Sequence, residues 1–285
     1  MLYNNFRDQN DIIKKRGKIV NLNSRILSLS SAVNFRDFGG YPTASGTGLK
    51  WGMLYRSATL SKMDDADIPI VNAIGLNRVI DLRTNREIEW EGFDRIYHHN
   101  EQIYDFLEFN YGDPYLIDAQ VSNELEWDMK RVDFRSIYVN MLEQNKPAIR
   151  RIFDRFADPE QYPILIHCTQ GKDRTGIVVA LLLLMLDVPK YTVIEDYLLT
   201  DQLIDIHARL AEMAGYLSEY AGSVPDGITT NDWAPFFKCL PDSIEFWFTH
   251  LEAAYGGATG YLHSIGVTSE QQKSIHAILV ENPTT

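Results

Sequence analysis

Residues Ile164 to Gly176 read Ile-Leu-Ile-His-Cys-Thr-Gln-Gly-Lys-Asp-Arg-Thr-Gly. Ile164, Leu165 and Ile166 form a short apolar strand ending at His167. Cys168 follows, then five residues, then Arg174 and Thr175. The unbroken apolar run from Ile177 to Leu186 predicts a buried helix. The expected order is a strand over 161–167, a loop over 168–174 and a helix over 175–187. A cysteine therefore stands where a strand hands over to a helix N-terminus. Unpaired backbone N–H groups and the positive end of the helix dipole meet there, which makes it an anion site with a nucleophile at its centre.

Each loop residue has a reason. Gly171 can take a positive φ, so the amides of Thr169, Gln170, Gly171 and Lys172 can turn inward as a nest for a tetrahedral oxyanion. Gly176 lets the first helical turn pack closely. Arg174 offers a planar fork for two oxygens at once. These groups favour thiolate over thiol at Cys168, and Thr175 is placed to hydrogen-bond the sulfur. Lys172 is expected to face the ligand. His167 reads as a structural histidine bonded to backbone behind the loop, and Cys239 as an unreactive cysteine of core or surface.

These motifs resemble the cysteine-dependent protein tyrosine phosphatase superfamily, whose signature is His-Cys, five residues, Arg, then Ser or Thr. Gly171-Lys172-Asp173-Arg174-Thr175 is similar to the loop of an atypical bacterial and fungal group, the tyrosine/serine phosphatases related to the mycobacterial phosphatase B. Asn34-Phe35-Arg36-Asp37-Phe38-Gly39-Gly40, Leu54-Tyr55-Arg56-Ser57, Val79-Ile80-Asp81-Leu82-Arg83 followed by Glu87, and Asp196-Tyr197-Leu198-Leu199-Thr200 resemble further segments of that group. The resemblance implies phosphomonoester hydrolysis through a cysteinyl-phosphate. The implied substrate is a phosphoprotein, with phosphotyrosine preferred and phosphoserine or phosphothreonine as alternatives, or a phosphoinositide.

A leaving alkoxide or phenoxide needs a proton donor. The superfamily's usual aspartate near a Trp-Pro is absent from the sequence. Asp173, inside the loop, is the first candidate and Asp81, at a strand end, the second; Asp105, Asp128 and Asp133 follow. Without a catalytic role, Asp173 would stabilise the helix dipole, and Asp81 would brace Arg56 or Arg36. Arg36 and Asp37 are expected to hold the loop's outer face as an ion pair. Two rival readings use the same loop: an inactive phosphate-binding module, and a redox or sulfur-transfer enzyme with Cys239 as resolving thiol.

A net charge of −12 argues against general nucleic-acid binding. Two cysteines without paired spacing make neither a disulfide framework nor a zinc site, and the chemistry calls for no metal or cofactor. The N-terminal stretch lacks the apolar core of a signal peptide, and the run 177–186 is too short to cross a bilayer. A cytoplasmic protein is expected, although unconventional export would leave no mark in the sequence.

Strands over 51–56 and 78–82 alternate with helices over 64–75, from Thr84 (with capping-box spacing to Glu87), and over 129–156, 191–210, 242–256 and 268–281. The stretch 101–126 reads as irregular and 41–48 as a turn. That alternation predicts an α/β fold, with a mainly parallel central sheet flanked by helices and extra C-terminal helices. Residues 1–30 read as an extension and 31–285 as a single domain, with 201–240 a candidate lid. In such sheets ligands bind at the carboxyl ends of the strands. Cys168 and Asp81 should share that edge.

Overall fold

A computed structural model describes residues 25–27, 29–97, 101–110, 133–209, 211 and 235–282. In chain order its elements are β1 (Arg36–Asp37), β2 (Gly48–Leu49), β3 (Leu54–Ser57), α1 (Ile68–Asn72), β4 (Arg78–Asp81), α2 (Asn85–Glu91) and β5 (Tyr104–Phe106). Then come α3 (Phe134–Gln144), α4 (Lys146–Phe156), β6 (Ile164–His167), α5 (Asp173–Met185), α6 (Lys190–Leu198), α7 (Thr200–Leu203), α8 (Pro241–Tyr255), α9 (Ala258–Ser264), α10 (Ser269–Leu279) and β7 (Val280–Glu281).

The central sheet has the order β1-β3-β6-β4-β5. Only β1 runs antiparallel to its neighbour; the β3–β6, β6–β4 and β4–β5 pairs are parallel. Strand β6 lies in the middle and all four of its residues are buried, as a strand covered on both faces requires. Side chains alternate between faces with period two. Ile164 and Ile166 accordingly join Ile80 and Leu82 in the larger core, under α3, α4, α5, α8 and α10. Leu165 points the other way, with Val79, Phe35, Leu60, Met63 and Val71. Helix α5 is buried on every side from Arg174 to Leu183, which its lack of a polar face demands. In the register Asp81 stands opposite His167. The carboxyl ends of β4 and β6 therefore coincide, and Cys168 and Asp81 share one edge.

Several boundaries differ from expectation for local reasons. The helix expected from Asp64 begins only at Ile68, with Pro69 in its first turn. The residue before it, Asp67, is engaged elsewhere: its carboxylate accepts the backbone N–H groups of Ser30, Ser31 and Ala32. The helix expected over 129–156 is two within its described part. Pro147 opens α4, and the Asn145 side chain bonds the backbone of Asn110 and Met141 instead of continuing α3. The stretch read as irregular contains edge strand β5. Helix α8 ends at Gly256, in the left-handed region, and α9 follows. The chain then closes against the 41–48 turn, where β7 pairs β2. Arg25, inside the expected extension, is buried: it donates to the Asp37 carbonyl at 2.7 Å and its guanidinium lies 3.8 Å from the Tyr41 ring. Most of the candidate lid, including Met213, Tyr216 and Trp233, lies outside the described residues. Among the described residues, no helix is long and apolar enough to cross a membrane.

Candidate active site

Cys168 begins the loop at the end of β6, and its side chain is buried. The amide of Gly171 donates to Cys168 Sγ at 3.2 Å. Gly171 has φ +65, and a Cβ there would come within 2.1 Å of the Ser57 carbonyl oxygen, so only glycine fits. The loop's carbonyls are drawn out backwards. Arg56 Nη2 donates to the Gly171 oxygen at 2.6 Å and Asn34 Nδ2 at 3.2 Å; Asn34 also holds the Gln170 oxygen at 2.9 Å. The Thr59 amide holds the Thr169 oxygen at 3.1 Å. Three loop carbonyls are thus held from outside the loop, while the Gly171 amide turns to the sulfur, an arrangement compatible with an anion nest.

Arg174 is aligned by Glu87. Its two terminal nitrogens donate to the two carboxylate oxygens at 2.6 Å each, and Nη1 also reaches the Leu82 carbonyl at 3.2 Å. The Thr169 hydroxyl donates to the same carboxylate at 2.6 Å. Glu87 is also the capping-box residue of α2, accepting the Thr84 amide at 2.8 Å. Burial would push its carboxyl up; the Arg174 cation outweighs that and holds it down at about 2. The capping spacing was legible in the sequence. That the same carboxylate orients the loop arginine was not.

Arg36 and Asp37 do not pair. Arg36 is fully buried and bonds Asp196, Nε to Oδ1 at 3.2 Å, while Arg56 Nη1 takes Oδ2 at 2.5 Å and the Tyr41 hydroxyl takes Oδ1 at 2.9 Å. Asp37 instead accepts the amides of Gly39 and Gly52 at 2.7 and 2.6 Å. Adjacent strand residues face opposite sides of the sheet, so a pair between them was sterically remote. Asp196 is thus the anion between two buried guanidiniums. Burial opposes its charge, but Arg36 and Arg56 hold its carboxyl well below the usual carboxylate range.

Asp81 braces neither Arg36 nor Arg56. It is fully buried and is gripped by Arg83, with Nη2 at 2.7 Å from Oδ2. Asp94 and His167 complete this group: Arg83 Nη2 lies 3.3 Å from Asp94 Oδ1, and His167 Nε2 lies 3.0 Å from Asp94 Oδ2. The other ring nitrogen of His167 is 3.4 Å from the Cys168 carbonyl, a contact with backbone behind the loop. Asp81, Asp94 and His167 come within metal-ligating reach of one another, but Arg83 already supplies the cation there.

This group carries a pH prediction. Burial alone would push the His167 imidazole down. Asp94 and Asp81 outweigh it and raise it from 6.5 to about 9. A folded-state value above the unfolded one adds stability that is complete below pH 6.5 and lost as pH rises through 9. The loss should reach roughly 3 kcal/mol. Urea unfolding of the parent should weaken over that window, and His167→Gln should flatten the dependence. A parent as stable at pH 9 as at pH 6.5 would contradict this account.

The remaining loop residues are placed as follows. Lys172 is almost wholly buried; its ammonium donates to the carbonyls of Phe236 and Lys238 at 2.6 and 3.0 Å, and stands 3.5 Å from Asp173 Oδ2. The contact with residues 236–238, far along the chain, had no signal in the sequence. Asp173 keeps 14 % of its side chain exposed and accepts a hydrogen bond from the Tyr138 hydroxyl. Thr175 is fully buried, and its hydroxyl has no hydrogen-bond partner among the described residues, the Cys168 sulfur included. Cys168 and Cys239 are both free thiols. Cys239 donates to the Tyr197 carbonyl at 3.2 Å, and burial pushes its thiol up.

The sequence matches the profile of the tyrosine phosphatase family over residues 27–281, and the chain belongs to that family. It is similar to a tyrosine-protein phosphatase of Nostoc commune, 27 % identical over 230 residues that make up 81 % of this chain and 75 % of that one. It is also similar to the triple specificity protein phosphatase PtpB of Mycobacterium tuberculosis, 27 % identical over 286 residues, with 90 % of this chain and 99 % of that one covered.

Proposed function

We propose that the protein hydrolyses phosphomonoesters in two steps, with Cys168 as nucleophile. Its thiolate attacks phosphorus, forming the S–P bond as the P–O bond to the leaving group breaks. Arg174 and the loop amides hold the equatorial oxygens. Asp173 gives its proton to the leaving oxygen, and water then releases phosphate from the cysteinyl-phosphate. The observation that carries this reading is the Gly171 amide aimed at Cys168 Sγ, beside an arginine held at two points by Glu87. Trapping tests it directly. Acid quenching during turnover of an aryl phosphate should leave one phosphoryl group on the peptide containing Cys168. An unmodified peptide throughout turnover would overturn the mechanism.

Between the two acid candidates, the geometry favours Asp173. Asp81 is sealed in and bound at both oxygens by Arg83, whereas Asp173 reaches the surface beside the loop. Asp173→Asn should therefore remove the basic limb of the pH–rate profile and slow aryl phosphates more as the leaving phenol grows more basic, by roughly 100-fold or more for phenyl phosphate. Asp81→Asn should leave the leaving-group dependence in place. The reverse pattern would move the role to Asp81.

Phosphotyrosine in proteins is the substrate class we favour. Phosphoserine, phosphothreonine and phosphoinositides form a second substrate class, and turnover of phosphoinositides, which carry more than one phosphate, would draw on Lys172 as a second cation. Here that ammonium is bound to two backbone carbonyls.

A further inference from the structure

A file of hydroxyl groups leads away from Asp173. The Tyr138 hydroxyl, on α3, bonds Asp173 Oδ1. The Tyr197 hydroxyl, on α6, stands 2.5 Å from that of Tyr138. The amide of Leu240, just before α8, donates to the Tyr197 oxygen at 3.0 Å. Both rings are buried. Burial first, and for Tyr138 the Asp173 carboxylate next, push both phenols well above their ordinary range, so both keep their protons at neutral pH.

The donor order follows from chemistry. An amide only donates, so Leu240 N–H gives to Tyr197. Each tyrosine has a single proton. When Asp173 is ionised it only accepts, so Tyr138 must donate to it, and Tyr197 must donate to Tyr138. All the donors therefore point one way, from the backbone at Leu240 to Asp173 Oδ1. Oδ2, which neither tyrosine touches, is left to carry the proton, with the Lys172 ammonium 3.5 Å away. As the leaving group takes that proton, negative charge grows on Asp173, and the donors already aimed at it interact more strongly. An unassisted surface aspartate in the first turn of a helix would be free to choose among rotamers.

We infer that Tyr138 and Tyr197 are positioning residues for the proton donor. On this view the buried Tyr138–Tyr197 pair fixes the Asp173 carboxyl through Oδ1, anchors it to the backbone at Leu240 and so selects Oδ2 as the oxygen that delivers the proton. The inference rests on the assignment of Asp173 as general acid.

The test is a series of aryl phosphates with phenols of increasing basicity, measured as kcat/KM for the parent, Tyr138→Phe, Tyr197→Phe, Asp173→Asn and the Tyr138→Phe/Asp173→Asn double variant. Tyr138→Phe should slow phenyl phosphate by roughly tenfold to a hundredfold, yet change dinitrophenyl phosphate, whose leaving group needs no proton, by less than about twofold. Tyr197→Phe should show a smaller loss with the same trend, since Tyr138 can still donate. With Asn at position 173 the Tyr138 change should add no further leaving-group dependence. A uniform loss along the series would mean a purely structural role and overturn the inference, as would losses that simply multiply in the double variant. If Asp173→Asn steepens the dependence and Tyr138→Phe does not, the tyrosines fail while the acid stands. If Asp173→Asn leaves it unchanged, the acid assignment fails and this inference with it. Competitive inhibition by inorganic phosphate reports that each variant keeps its loop. Should Tyr138→Phe not fold, the trend in Tyr197→Phe decides, and its absence there overturns the inference.

Discussion

Cys168→Ser is expected to leave less than about one per cent of parental turnover on an aryl phosphate, because serine supplies no thiolate at neutral pH. Binding should survive. The Gly171 amide does bond the sulfur, but the loop has other ties: Arg56 and Asn34 hold the Gly171 carbonyl from behind, and Glu87 holds Arg174. None of these other ties involves residue 168. Inorganic phosphate should therefore inhibit or bind the variant within about threefold of the parent, since the amides and guanidinium that grip it remain. Turnover of a generic aryl phosphate and phosphate affinity, measured side by side, separate the two effects. Residual activity well above one per cent would refute the nucleophile assignment. Lost affinity with lost activity would mean that the sulfur also holds the loop together.

The second large effect is on stability. Asp196→Ala should cost about 3–5 kcal/mol, the range for removing one partner of a buried ion pair. The reason lies in what remains. Arg36 and Arg56 are both buried, and without Asp196 two guanidiniums face each other with no anion between them. Burial and the neighbouring Arg56 already push Arg36 down to about 10, even with Asp196 present. The loss should reach the site, because Arg56 Nη2 also holds the Gly171 carbonyl. Urea unfolding would measure the first consequence and phosphate affinity the second. Asp196→Asn, which keeps the acceptor oxygen but not the charge, should fall between parent and alanine variant. A change below about 1 kcal/mol for Asp196→Ala would show that the arginines find other partners and that the triad is not what secures the back of the loop.

The proposed chemistry was legible because it is written contiguously. A cysteine, an oxyanion nest and an arginine must close around one small anion, so they occupy one short loop, and the strand and helix on either side are marked by unbroken apolar runs. The layer architecture was legible for a similar reason: apolar periodicity and capping residues act over a few positions, as at Thr84 and Glu87. The pairing of Asp81 with Arg83 obeys the same short-range logic but was missed in the sequence, where Arg56 or Arg36 was the expected partner of Asp81. Residues two apart on extended chain face one way, and that rule also separates Arg36 from Asp37, the pair expected from adjacency alone.

What holds the loop was decided by the tertiary structure. Asn34, Arg56 and Glu87 reach residues 168–174 from three separate segments, and Asp196 holds Arg56 from a fourth. Their convergence depends on the strand order β1-β3-β6-β4-β5 and on α6 packing behind α5. Lys172, expected to face a ligand, instead bonds the carbonyls of Phe236 and Lys238, because a distant segment passes within its reach. A side chain's charge and length are properties of sequence. Its partner inside a low-dielectric core is whichever group the packing places within hydrogen-bond distance, since an unpaired ion there costs too much to persist. The sequence by itself therefore marked the cysteine proposed as nucleophile, the loop between strand and helix, and the layers. Only the packing determined which buried carboxylates and hydroxyls hold them in register.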